Sequence, residues 1–123
     1  MKPKHILIVG GTGFIGYHLA KFLLKKKYSI TSLSTRKPVK KRKLKKVKYI
    51  HEDVNKIKKI IKIKNNFTYV INLAGYVDHA NKRLTYNSHF KGCVNLVKIF
   101  RETKINAFLQ VGSSLEYGKL NSP

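Results

Sequence analysis

The chain is 123 residues long with 42% hydrophobic residues, enough for one domain with a real core. Its 27 Lys and Arg against five Asp and Glu give a formal net charge of +22, which ordinarily points to nucleic acid or an anionic surface. The excess is nearly all lysine, is spread along the chain, comes with no nucleic-acid motif and goes with abundant Ile and Asn, as a biased base composition would produce. Nonspecific adhesion to polyanions is therefore expected, and specific nucleic-acid binding is not. Apolar runs of only a few residues exclude a bilayer span and a signal-peptide core, and the single cysteine, Cys93, excludes an internal disulfide and fits a reducing, cytoplasmic setting.

Residues 4–9 read as the first strand: His5-Ile6-Leu7-Ile8-Val9 is short, β-branched and nearly uninterrupted, as in a strand buried on both faces. Gly10-Gly11-Thr12-Gly13-Phe14-Ile15-Gly16 follows. Phe14, Ile15, Leu19, Phe22 and Leu23 then recur at helical spacing over residues 14–27, closed by three lysines that suit a helix C-terminus. Tyr28 to Leu33 alternates apolar and polar residues as a second strand, and residues 36–48 form a basic, proline-containing connection exposed to solvent. Val47 to His51 is a short third strand, after which Val54, Ile57, Ile60 and Ile61 share one face of a lysine-rich helix to about Lys64. Phe67 to Leu73 is the fourth strand. A long helix is best defined from Thr85 to Lys104, with Phe90, Val94, Val97 and Phe100 among its apolar positions, and Ala107 to Val111 is the fifth strand. Strands alternating with helices, without internal repeat or domain boundary, predict an α/β fold with a doubly wound parallel sheet of five strands and ligands at the strands' carboxyl ends.

A turn as tight as the one after Val9 needs φ values that a Cβ disfavours. A pyrophosphate must also meet bare backbone there, and the new helix points its unpaired N–H groups at it. Glycine-rich turns also serve purely structural ends, but strand, glycines and amphipathic helix in this order favour a dinucleotide. The spacing of Gly10, Gly13 and Gly16 resembles the fingerprint of the extended short-chain dehydrogenase/reductase family, whose members include nucleotide-sugar epimerases and dehydratases. That resemblance implies a Rossmann fold over residues 1–123, with the cofactor on Gly10, Gly11, Thr12, Gly13, Phe14, Ile15 and Gly16.

Further positions match. NAD-preferring members place an acidic residue after the second strand; here Ser34-Thr35-Arg36-Lys37 stands there. An arginine can pair bidentately with a 2′-phosphate, which favours NADP over NAD, although Arg36 is also simply the first residue of a basic run. Asp53-Val54 resembles the family's adenine-contacting pair, and Asp53 also suits the N-cap of the next helix. Asn72-Leu73-Ala74-Gly75 resembles an Asn-x-Ala-Gly motif, which implies cofactor contacts at Leu73, Ala74 and Gly75. Asn87 to Leu96 resembles a helix segment Asn-x-x-Gly-Thr-x-Asn-Leu, with His89 in place of the usual asparagine and Cys93 in place of the threonine.

Val111 to Gly118 (VGSSLEYG) resembles the family's strand-five motif. The resemblance implies that Ser113, four residues before Tyr117, is the catalytic hydroxyl that bonds the substrate oxygen. Family members add a downstream Tyr-x-x-x-Lys pair for proton transfer. The literal match Tyr17-His18-Leu19-Ala20-Lys21 lies in the first helix and reads as coincidence. The resemblance thus covers the N-terminal part of the family's fold, without the catalytic pair or the substrate-binding C-terminal part, so the chain reads as a fragment or truncated frame. The expected function is the cofactor-binding part of an NAD(P)-dependent epimerase, dehydratase or reductase acting on a nucleotide-linked sugar, compatible with a homodimer and with no metal site. A non-catalytic dinucleotide-binding module is the competing reading.

Overall fold

A computed structural model of the chain describes residues 2–75, 80–113 and 118. Five strands form one all-parallel sheet in the order β3-β2-β1-β4-β5. They are β1 (His5–Val9), β2 (Ser29–Ser34), β3 (Val47–His51), β4 (Tyr69–Asn72) and β5 (Ala107–Gln110). The helices are α1 (Phe14–Lys25), α2 (Lys59–Ile63), α3 (Lys82–Tyr86) and α4 (Gly92–Phe100), with a π-helical segment Asn87–Lys91 joining the last two. This is the doubly wound architecture expected from the alternation of elements.

The two sides of the sheet explain why β1 reads as an unbroken apolar run. Leu7 and Val9 join Leu33, Ile50 and Val70 beneath Ile60, Leu96 and Phe100 from α2 and α4. Ile6 and Ile8 join Ile30 and Val47 on the other side, against Ala20, Leu19 and Leu23 of α1. Both faces of the central strand therefore leave water, and alternation disappears from its sequence. The β5 edge differs. Phe108 packs against the first cluster, while Leu109 and Val111 remain 54% and 46% exposed.

Several element boundaries depart from the sequence reading. The first helix stops at Lys25 rather than 27, because Lys27 takes a left-handed conformation (φ 64°). Lys27 N–H donates to Leu24 O and Tyr28 N–H to Leu23 O, which closes the helix in a Schellman motif with lysine where glycine is usual. The second helix is only Lys59–Ile63. Val54 and Ile57 are buried from the loop ahead of it, and Ile61, expected on the buried face, is 47% exposed. Apolar spacing selected residues that reach the core, yet a loop delivers two of them as well as a helix would. The long helix is divided: residues 101–104 lie outside it, and Phe90 and Val97 are exposed where Leu96 and Phe100 are buried. The extra residue per turn over Asn87–Lys91 shifts the face presented by everything before it.

Candidate functional site

Sheet order places the site. From β1 the chain moves to β2 and β3 on one side, then crosses to β4 and β5 on the other, so the loops after β1 and β4 diverge at their carboxyl ends. A cleft of about 1150 Å³ lies at this switch point. Its wall contains the expected Gly10, Thr12, Gly13, Phe14, Ile15, Gly16, Ser34, Thr35, Arg36, Asp53, Val54, Leu73, Ala74 and Gly75. The volume slightly exceeds the roughly 300–1,000 Å³ of ordinary small-ligand pockets, as an elongated ligand requires.

The glycine turn is tied on both sides. Gly10 N–H donates to Leu33 O of β2 (2.8 Å), and Leu73 N–H donates to Val9 O (2.9 Å). Gly10 has φ +81°, and a Cβ there would stand 3.0 Å from Ala74 N, so both conformation and neighbour demand glycine. A Cβ on Gly16 would meet Gly10 O and Gly11 Cα at 2.5 Å each, and one on Gly11 would strike Ser32 Oγ. Gly11 is buried and packs under the turn; it does not line the cleft. Gly13 is different. Its φ of −72° suits any residue, and its nearest neighbour to a Cβ is Gly10 O at 3.4 Å, an ordinary contact. Among the described residues, nothing requires glycine there.

Gly13 is also the N-cap of α1. Among the described residues no side-chain cap bond closes this helix start, and its first turn carries no acidic residue. The unpaired amides and the positive end of the dipole thus face the cleft, the arrangement that binds anions. Phe14 and Ile15 beside them are 64% and 63% exposed, which leaves apolar wall for a ligand to cover.

The β2 end is shared between structure and site. Ser34 is buried, and its Oγ accepts Thr12 N–H (3.3 Å), so this hydroxyl supports the glycine turn. The carbonyl of Thr35 accepts from His51 Nε2. Arg36 is exposed on the cleft wall. Asp53 is not the N-cap of α2, which is Lys58; its Oδ1 accepts Asn55 N–H (2.8 Å) within the loop. Glu52 takes the capping role, its carboxylate accepting Lys58 and Lys59 N–H at 2.9–3.3 Å.

Two groups of residues escaped the sequence reading. Asn95 Nδ2 donates to Asn55 Oδ1 (3.1 Å) and Val54 O (3.4 Å), and Asn55 Nδ2 donates to Asn87 O (3.0 Å). These bonds clamp the Asp53–Asn55 loop to α4, and the close approach is possible because Val54 Cγ2 sits where a Cβ of Gly92 would be (2.6 Å). Asn72, expected only as a motif residue, is buried; it accepts Ala74 N–H (3.1 Å) and donates to Gln110 Oε1 (2.7 Å), fixing the β4 loop to β5. An asparagine-rich sequence hides such pairs, since they form across 32 to 41 residues.

Ser113 lies exposed beyond β5, past Val111 on the cleft wall. Ser114 to Tyr117 of the expected motif fall outside the described residues. Tyr17 and Lys21 sit within α1, and Tyr17 packs edge-on against His18. His89 lies against the backbone of Gly75, filling the space of its absent Cβ. Among the described residues, no helix is long and apolar enough to cross a membrane.

The fold recurs in solved structures. A UDP-glucose 4-epimerase superposes with a TM-score of 0.85 at 21% identity, over 97% of this chain and 38% of its own. A UDP-glucuronic acid 4-epimerase from Bacillus cereus, solved in complex with NAD, gives 0.81 at 21% identity, over 95% and 42%. MoeE5 in complex with UDP-glucose and NAD gives 0.82 at 18%, over 95% and 39%. The chain therefore spans about two fifths of the length of these neighbours. No curated protein matches it in sequence. The family model for the NAD dependent epimerase/dehydratase family matches residues 6–123, nearly every residue from the first strand onward, and the chain belongs to that family.

Proposed function

We propose that residues 1–123 form the dinucleotide-binding part of an NAD(P)-dependent epimerase, dehydratase or reductase that acts on a nucleotide-linked sugar. Gly13 carries the reading: a glycine that neither backbone conformation nor packing requires, standing at an uncapped helix start in the cleft. A ligand that must touch backbone there accounts for it, and a pyrophosphate also matches the amides and dipole of α1.

The remaining residues divide the dinucleotide among them. Gly10, Thr12 and the first turn of α1 bind the pyrophosphate. Asp53 and Val54, held by Asn95, border the adenine. Leu73, Ala74 and Gly75 flank the path toward β5. With an arginine on the β2 wall in place of a carboxylate, the adenosine ribose carries a 2′-phosphate, so NADP is preferred. Two of these solved neighbours are complexes with NAD, which makes NAD the alternative cofactor. A bound nicotinamide supplies hydride transfer with a sugar carbon. Ser113 donates or accepts a hydrogen bond at the substrate oxygen, and turnover by residues 1–123 alone is not expected. The lone cysteine favours a reducing compartment such as the cytoplasm.

The test is calorimetric titration of NADP and NAD into wild type and Gly13→Val, with circular dichroism to verify the fold. Loss of both cofactors in a folded variant is expected; retained affinity sinks the reading. A non-catalytic module would bind the cofactor equally well. Ser113→Ala separates the classes when assayed in a longer protein that turns over sugar: kcat falls while cofactor affinity holds.

A further inference from the structure

The β2–β3 connection reads in sequence as a basic segment exposed to solvent, yet the structure folds part of it back onto the cleft. A single 3₁₀ turn, Lys40–Arg42, places the Arg42 guanidinium 5.5 Å from the centre of the Phe14 ring. Phe14 is the first residue of α1 and lines the cleft, as does Arg36 at the other end of the same segment. Arg36 thus lines the cleft by its place after β2, whereas Arg42 is joined to the cleft through its contact with Phe14.

Neither guanidinium is ion-paired with a carboxylate among the described residues. Among the described residues the one ion pair is Arg101 with Glu102. Glu52 and Asp53, the described carboxylates on the cleft wall, accept backbone N–H groups of Lys58, Lys59 and Asn55. Residue choice adds a second observation. Of 27 basic residues only four are arginine, Arg36, Arg42, Arg83 and Arg101, so half of the arginines of a lysine-dominated chain fall in this segment. Lysine would supply the same charge. Arginine adds a planar fork that stacks on a ring and grips two phosphate oxygens at once.

We propose that Arg42 is a second specificity-determining residue, presenting a guanidinium pre-oriented on Phe14 to a phosphate monoester on the adenosine ribose, together with Arg36. This rests on the NADP reading above. It assigns the selectivity to two arginines and an aromatic platform rather than to the β2 end alone.

The experiment uses adenine nucleotides, which need no nicotinamide or substrate site. 2′,5′-ADP, 5′-ADP and 5′-AMP are titrated into wild type, Arg42→Lys, Arg36→Gln and Phe14→Leu; the two ADP isomers separate phosphate position from bulk attraction to a cationic chain. Wild type should bind 2′,5′-ADP more tightly than either control. Arg42→Lys should lose about tenfold for 2′,5′-ADP, the scale of one charge-assisted bond, with 5′-AMP changed less than twofold. Phe14→Leu should reproduce part of that loss. If Arg36→Gln loses 2′,5′-ADP while Arg42→Lys does not, or if Arg42→Lys weakens all three ligands equally, the role of Arg42 is overturned and the NADP reading stands. If wild type does not favour 2′,5′-ADP, both fall together.

Discussion

Gly13 and Gly16 belong to the same motif, and the structure assigns them opposite reasons, so alanine at each should fail in opposite ways. At Gly16 the new Cβ would lie 2.5 Å from Gly10 O and Gly11 Cα, both backbone atoms of a turn hydrogen-bonded to β2. Overpacking costs about 1–3 kcal/mol, and immovable neighbours place this case near the top; a helix-propensity gain of about 1 kcal/mol offsets part, leaving about 2 kcal/mol. For a chain of this size that lowers Tm by roughly 6–12 °C. At Gly13 the Cβ meets one atom at 3.4 Å in an ordinary conformation, so the cost is the few tenths to about 0.5 kcal/mol of a poorer N-cap. Thermal and urea denaturation of Gly13→Ala and Gly16→Ala, each followed by cofactor titration, gives the contrast. Gly16→Ala should unfold early, whereas Gly13→Ala should melt like wild type and lose cofactor affinity. Equal destabilisation by the two substitutions would refute the argument, because Gly13 would then be a packing glycine.

Other outcomes follow from single interactions. Lys27→Gly should raise stability by about 1 kcal/mol in urea titration, since lysine holds a left-handed conformation that glycine adopts without strain. Burial, and secondarily the charge of Lys48, lower the pKa of His5, which bonds Thr31 Oγ1 at 2.8 Å. The unfolded state then binds the proton more readily, so His5 contributes stability above its unfolded pKa of about 6.5 that is lost as pH falls through the folded value. The urea midpoint of His5→Gln should accordingly depend less on pH between 7 and 5 than that of wild type. Asn95→Ala removes the donor that holds Asn55 and Val54, and should cost about 1–2 kcal/mol while weakening adenine nucleotides more than pyrophosphate alone, read by denaturation and calorimetry.

The strands were legible because burial on both faces writes itself as an unbroken run, as at His5–Val9, and the glycine turn because its geometry leaves few residue choices. Helix limits were less so. Lys27 ends α1 in a conformation that no propensity assigns to lysine, and Val54 and Ile57 mimic a helical face while lying in a loop. Residues joined across the fold were illegible: the Arg42–Phe14 contact spans 28 positions and the Asn95–Val54 bond 41. Sequence spacing shows which residues share an element, and these belong to different ones.

The uneven anchoring of the sheet has a consequence for how the molecule opens. β1, β2 and β3 carry buried residues on both faces, whereas among the described residues β5 sends only Phe108 toward the core and is otherwise held by its ladder with β4, the Asn72–Gln110 pair and Val111 N–H on Asn72 O. Local opening costs least where buried apolar contacts are fewest. Amide hydrogens of β5 should therefore exchange through a sub-global fluctuation that leaves those of β1 and β2 protected. The glycine turn belongs to the slow-exchanging unit and the strand leading to Ser113 to the fast one. Mild denaturant would thus detach β5 first, and with it the segment that carries Ser113, while the glycine turn stays folded.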